Sequence, residues 1–217
     1  MNLANTIAQR PLRVTELKQA VERRDPTMGA HMQRIGPMSA FLAAALGLSL
    51  TAVRLIRIAA PMHDVGKIGL PDSILRKPGP LTPGQRTEMQ CHPQVGHDLL
   101  SGSDSPEVEM GATIALTHHE RWDGTGYPNG LAGTEIPIEG RIVAVADVFD
   151  ALVSDRVYHE AISVAQAARV IKAGSGTQFD PEIVEVFLRD LPEILRSRDP
   201  DEEWADLWAA HEVPATR

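Results

Sequence analysis

The chain has 217 residues, 43% of them hydrophobic but only 4% aromatic, enough for one medium-sized domain with a substantial core and too few for a second full domain. Its formal net charge of -8 excludes broad nonspecific binding to nucleic acid or to an anionic membrane, which needs a field of Lys and Arg, so an anionic substrate has to be held by local charges or metals. The single Cys91 allows no intramolecular disulfide, and the opening residues Met1 to Thr6 show neither a basic nor an apolar signal region, so a reducing cytoplasm is expected.

Helical periodicity dominates in chain order, and little reads as strand. Residues 1–24 have room for one or two lead-in helices and no receiver or sensory domain. Ile35, Met38, Leu42 and Leu46 suit one helical face, and Val53, Ile56 and Ala60 suit another. The weakly polar run from Phe41 to Val53 is too short to span a bilayer and contains Gly47, Ser49 and Thr51, so it reads as two helix ends meeting at a turn. Pro61 removes a backbone donor and predicts a kink just before His63, and Gly66 is expected to end that helix. Lys77-Pro78-Gly79-Pro80 is a turn, and Thr82-Pro83 is a cap followed by a helix start. Cys91 reads as a buried apolar thiol. Asp123-Gly124, Gly126, Pro128-Asn129-Gly130 and Gly133 predict a long irregular loop beside a site, with Glu120 and Asp123 fixing it by hydrogen bonds. Arg141 to Leu152 is rich in β-branched residues, yet its length and apolar spacing favour a buried helix. From Pro192 onward, acidic residues followed by Trp204, Leu207 and Trp208 read as a linker and a short amphipathic helix. The expected organisation is therefore a lead-in at 1–24, a domain at 25–190 and an acidic tail at 191–217.

Two dense elements carry the chemistry: His63-Asp64-Val65-Gly66-Lys67, and His118-His119-Glu120 followed by Asp123-Gly124 and Gly126-Tyr127-Pro128. Borderline and hard divalent metals, and phosphates, are bound by such imidazole, carboxylate and ammonium groups. The candidate ligands are His31, His63, Asp64, His92, His118, His119 and Asp147, spread over helices as a metal core inside a bundle requires. Alone, His31 or His92 reads as an ordinary satisfied histidine. The His63-Asp64 doublet closing an apolar helix, and two imidazoles after Ile114-Ala115-Leu116, favour a functional role.

These motifs resemble the HD-GYP family, a bacterial branch of the HD phosphohydrolase superfamily, from about Asp25 to about Phe187, with further similarity at Arg141 to Tyr158 and at Gly176 to Pro181. The resemblance implies an all-α bundle around a metal centre and hydrolysis of a cyclic dinucleotide, most typically cyclic di-GMP, to linear pGpG and GMP. Carried over position by position, the metal ligands fall on the same seven residues, with Asp64 bridging two metals, iron or manganese by resemblance. Asp64 and Lys67 are the expected catalytic residues. Lys67 and Arg156 are expected on phosphate oxygens, Arg156 offering a planar fork suited to bidentate contact. Asp150, one turn after Asp147, is assigned to the substrate, to a water or to an imidazole. Gly126, Tyr127 and Pro128 are implied to contact diguanylate cyclase domains, or else to wall the site. Some family members have a glutamate where Thr27 stands and bind a third metal, so two metals are expected here; His159 stands where many members carry a lysine, which weakens the grip on a second phosphate. The other readings are a phosphodiesterase for 3',3'-cyclic GMP-AMP and a silent nucleotide-binding or scaffolding module. Regulation is expected from partners, from assembly into a homodimer, from metal supply or from substrate level.

Overall fold

The computed structural model describes residues 26–155 and 161–199; the lead-in at 1–24, Arg156, Tyr158, His159 and the acidic tail from Pro200 onward lie outside the described residues. Helix α1 (Pro26–Ala45) buries Met32, Ile35, Met38 and Leu42 along one stripe. It stops where Gly47 takes a φ of +79°, which lets the Leu48 N–H return to the Ala43 carbonyl at 3.0 Å. Ser49 then caps α2 (Leu50–Ala59), its side chain accepting from the Ala52 N–H at 3.2 Å. The two helices form an antiparallel hairpin, as the turn in this region predicts. Gly36 makes the crossing close, since a Cβ there would stand 2.6 Å from the Arg57 carbonyl oxygen.

The break at Pro61 takes a specific form. Because Pro61 has no N–H to offer the Arg57 carbonyl, α2 ends at Ala59 and tightens into a 3-10 turn at Ala60–Met62, with His63 at its end. A second 3-10 turn covers Val65–Gly69. Gly66 therefore does not end the helix as the sequence led us to expect. It lies inside the second turn, where its backbone presses on the next helix: a Cβ would overlap the His92 carbonyl and stand 2.5 Å from the Gly96 nitrogen.

Short α3 (Asp72–Leu75) and the turn through Pro78 lead to α4 (Pro83–Met89), which opens with the capping box formed by Thr82 and Gln85. Cys91 precedes α5 (His92–Leu100) and is exposed, not buried, because it sits in the tight corner between α4 and α5 on the solvent side. Helix α6 (Pro106–Thr117) packs on α5 and α2, and α7 (Ile138–Leu152) packs on α1 and α6. The β-branched residues of α7 are helical because the segment is central: Ile142, Val143, Val145 and Phe149 are fully enclosed, so burial outweighs local propensity.

Helices α8 (Val164–Ala173), α9 (Pro181–Arg189) and α10 (Leu191–Arg198) close the bundle. Phe149 meets Phe187 edge to face, with centroids 5.0 Å apart. Leu191, Ile194 and Leu195 of α10 are buried in the same core, and α10 packs against α1. The fold is all-α: ten helices and no strand among the described residues, with only isolated bridges at Asp123–Ala132 and Ser175–Phe179. No helix among the described residues is long and apolar enough to cross a membrane.

Candidate metal centre

The helix ends described above converge on one region. His63 and Asp64 follow the 3-10 end of α2, His92 opens α5, His118 closes α6, His119 follows it, His31 projects from α1 and Asp147 from α7. One potential ligand atom from each of Asp64, His92, His118 and His119 falls within 4.8 Å of the others, and the same holds for His31, His63 and Asp147. All seven residues singled out in the sequence thus lie in two adjacent groups.

Asp64 stands between them. Its Oδ1 faces His92 Nε2 at 3.2 Å and His118 Nε2 at 3.7 Å, while its Oδ2 faces His63 Nε2 at 3.3 Å and accepts from Lys67 Nζ at 2.6 Å. Across the second group, His31 Nε2 lies 3.3 Å from Asp147 Oδ1, and His63 Nε2 lies 3.8 Å from the same oxygen.

The orientation of the rings follows from the backbone. His63 Nδ1 donates to the Ala60 carbonyl at 2.9 Å, His92 Nδ1 to Met89 at 2.8 Å and His118 Nδ1 to Ala115 at 2.9 Å. A carbonyl only accepts, so Nδ1 carries the proton and Nε2 of each neutral ring is left with a lone pair aimed at the centre. Two of those lone pairs crowd where His92 and His118 bring their Nε2 atoms to 3.3 Å, and His63 Nε2 stands 3.4 Å from His31 Nε2.

Electrostatics deepen the same picture. Burial, reinforced by His118 and His92, pushes the His119 imidazole down to about 2, and burial also lowers His118. Both rings are therefore neutral donors of lone pairs. Burial opposes charge on His31, but Asp147 and Asp150 outweigh it and raise this imidazole to about 9. Burial likewise disfavours the Asp64 carboxylate, yet Lys67 holds it ionised, and hydrogen bonding from His31 does the same for Asp147. Among the described residues, the buried Asp64 Oδ1 has no hydrogen-bond partner. An unpaired carboxylate oxygen ringed by imidazole lone pairs is a costly arrangement that a divalent cation relieves, so the residues present fit a metal.

Around the donors, three features set the frame. Glu120 is buried and accepts from the Asn129 N–H at 2.7 Å and the Leu131 N–H at 3.1 Å, and Asp123 accepts from the Thr125 N–H at 3.0 Å, so both carboxylates fix the loop. Gly124, Gly130 and Gly133 have positive φ, but Gly126 is small for another reason: a Cβ there would stand 2.6 Å from Glu120 Cα. This close approach lays the Tyr127 ring on the His119 ring, stacked with centroids 4.8 Å apart, so the loop walls the centre.

The placement of Asp150 narrows the sequence reading. Asp150 does not reach a substrate: its carboxylate is fully buried and accepts from His31 Nδ1 at 2.7 Å, which leaves it the role of holding an imidazole. Arg34 and Arg198 grip that carboxylate and went unnoticed in the sequence, although Arg34 sits one helical turn from His31. Lys67 lies against Asp64, and Arg156 is outside the described residues.

The HD domain profile matches residues 16–183. The cyclic di-GMP phosphodiesterase response regulator RpfG of Xanthomonas campestris pv. campestris is 49% identical over 176 residues, covering 81% of this chain and 47% of that protein. The 3'3'-cGAMP-specific phosphodiesterase 2 of Vibrio cholerae is 43% identical over 185 residues, 85% of this chain and 35% of the relative. Among solved structures, the V. cholerae cyclic GMP-AMP-specific phosphodiesterase V-cGAP3 superposes with a TM-score of 0.61 at 23% identity, over 88% of this chain and 51% of that one, which shows a shared fold. The chain spans about half the length, or less, of the curated relatives it matches.

Proposed function

The chain belongs to the HD domain family, and from that premise we propose that it is a metal-dependent phosphodiesterase that opens a cyclic dinucleotide, cyclic di-GMP first, to linear pGpG and on to GMP. The observation that carries the reading is Asp64: one buried carboxylate turned toward both donor groups, with an oxygen left unpaired between imidazoles. Seven converging donors have no use in a purely scaffolding module.

The two groups suit two cations, with Asp64 shared, and Thr27 supplies no carboxylate for a third. The mixed imidazole and carboxylate set suits iron or manganese. When bound, such ions lower the pKa of water and neutralise the phosphodiester for in-line attack. The chain's own residues do the rest. His63, His92 and His118 are held with Nε2 inward by backbone carbonyls, so no reorganisation is needed on binding. Lys67, one-fifth exposed and paired with Asp64 at 2.6 Å, is near enough to turn its ammonium to a nonbridging phosphate oxygen once cations neutralise Asp64. Arg156 is assigned to a phosphate of the substrate. The Tyr127 ring keeps water from the outer face of His119. The single exposed Cys91 fits a reducing, cytoplasmic compartment. Gly126, Tyr127 and Pro128 line the loop assigned to any diguanylate cyclase partner.

Cyclic GMP-AMP is the second substrate reading, favoured by the 43% identity to a relative named for it. The test is chromatographic product analysis after anaerobic incubation of iron- or manganese-loaded protein with each dinucleotide, with Asp64→Ala as control. Metal-dependent ring opening absent from the control is the expected result. Full metal occupancy without turnover on either substrate would refute the enzyme.

A further inference from the structure

His31 differs from the other imidazoles. His63, His92 and His118 stand at helix ends, where a carbonyl three residues earlier is available to take the Nδ1 proton. His31 stands inside α1, where the helix's own ladder uses the carbonyls, so its acceptor has to come from elsewhere in the chain. That acceptor is Asp150, 119 residues away, whose Oδ2 takes the His31 Nδ1 proton at 2.7 Å.

Asp150 is in turn caged by two guanidinium groups. Arg34 donates through Nε to Oδ1 at 2.7 Å and through Nη2 to Oδ2 at 2.9 Å. Arg198 donates through Nε to Oδ1 at 2.8 Å. Both also reach the Ser154 hydroxyl oxygen, Arg34 Nη2 at 3.0 Å and Arg198 Nη2 at 2.7 Å, which locks the two forks to one point on the end of α7. With its oxygens fixed on three sides, the Asp150 carboxylate has one direction left, toward His31.

We propose that Arg34 and Arg198 are positioning residues of the metal centre: through Asp150 they set the ring orientation and tautomer of His31, and so the affinity of the His31, His63 and Asp147 group for its cation. Arg198 is the unexpected member. It is the last residue of α10 and lies beyond the segment 16–183 that the HD domain profile matches, so the cage ties an element outside the family match to the centre. The proposal rests on the reading of His31 as a metal ligand.

Cobalt(II) reports on it without any turnover. Bound to an imidazole, cobalt(II) shifts the remaining ring N–H far downfield in a proton spectrum, and the His31 signal is the one that moves in Asp150→Asn. In Arg198→Met, that resonance alone is expected to broaden by exchange with water. One of two cobalt equivalents should lose about 10- to 100-fold in affinity while the other is unchanged. Arg198→Lys, which keeps the charge but not the fork, should fall between. Arg34→Lys provides the same readouts if Arg198→Met does not give a cooperative melt. Variants that keep every shifted N–H signal and both affinities would overturn the proposal and leave the metal reading standing. A wild-type protein that takes up no cobalt would overturn both, so the two failures are told apart by the wild-type titration.

Discussion

Gly66→Ala tests how the centre is built, because the fold leaves no room for a methyl group there. The added Cβ would overlap the His92 carbonyl and lie 2.5 Å from the Gly96 nitrogen, against 3.4 Å for an ordinary contact, so the backbone of Val65–Gly69 has to retreat from α5 by about 0.9 Å or more. Both offending atoms are main chain, so no rotamer change absorbs the clash. Forced overpacking of this kind costs about 3 kcal/mol, which for a chain of this size lowers the melting temperature by about 6–12 °C. The displacement acts directly on the centre, since Asp64 and His92 lie on the two sides of the contact, 3.2 Å apart. A misplacement of about 1 Å in such a site costs turnover roughly 100-fold. Gly84→Ala is the control: it sits in the first turn of α4 with nothing within 4 Å of a Cβ, and is expected to leave stability unchanged or raise it by about 0.4–1 kcal/mol. Thermal melts and urea titrations of both variants, with metal affinity measured in parallel, decide the matter. A Gly66→Ala protein that melts with the wild type and binds metal equally well would show that the Gly66 contact is not tight, and the argument would fall.

Three further outcomes are expected. Glu120→Ala strips two loop amides of a charged acceptor, at about 1.5–3 kcal/mol for each bond, so hydrogen exchange at Asn129 and Leu131 should accelerate strongly while α6 is unaffected; unchanged protection would mean that the loop is held by other contacts. Tyr127→Phe keeps the ring on His119 and should leave metal affinity unchanged, whereas Tyr127→Ala removes a stacking contact worth about 0.5–1.5 kcal/mol and should weaken binding by up to about tenfold, and equal affinities for the two variants would count against the stack. Metal-stripped protein should melt lower than protein with manganese(II) at a hundred times its dissociation constant, the difference being about 2.7 kcal/mol per site, and coincident melts would show that the centre does not couple to folding.

Much of this arrangement was legible in the sequence for a physical reason: imidazole and carboxylate doublets at the ends of apolar runs are hard to explain as packing, and the structure does bring His63, Asp64, His118 and His119 together with His31, His92 and Asp147. The helix at Ile138–Leu152 was readable because an apolar run of that length is too long for a buried strand, whatever its β-branched content. Gly66 was misread because a glycine beside a helix end looks the same whether it stops the helix or makes room for a neighbour, and only the position of α5 separates the two. Cys91 was misplaced because its exposure depends on the corner between α4 and α5. The apolar side of α10, Leu191, Ile194 and Leu195, was hard to read because Glu193, Arg196 and Arg198 stand among those residues and the packing partner, α1, is distant in the chain. The grip of Arg198 on Asp150, across 48 residues, has no periodic signature at all.

The anchoring of the histidine rings has a bearing on the order in which the chain assembles. Asp64, His92, His118 and His119 come from three segments that follow one another between residues 64 and 119, and His92 and His118 take their direction from carbonyls three residues earlier. The other group draws His31, His63 and Asp147 from three separated segments, and His31 is aligned only after α7 and α10 have come to rest beside α1. One half of the centre thus draws on a shorter reach of chain than the other. The half that depends on the longer reach is the one expected to let go of a bound cation first as the structure is lost.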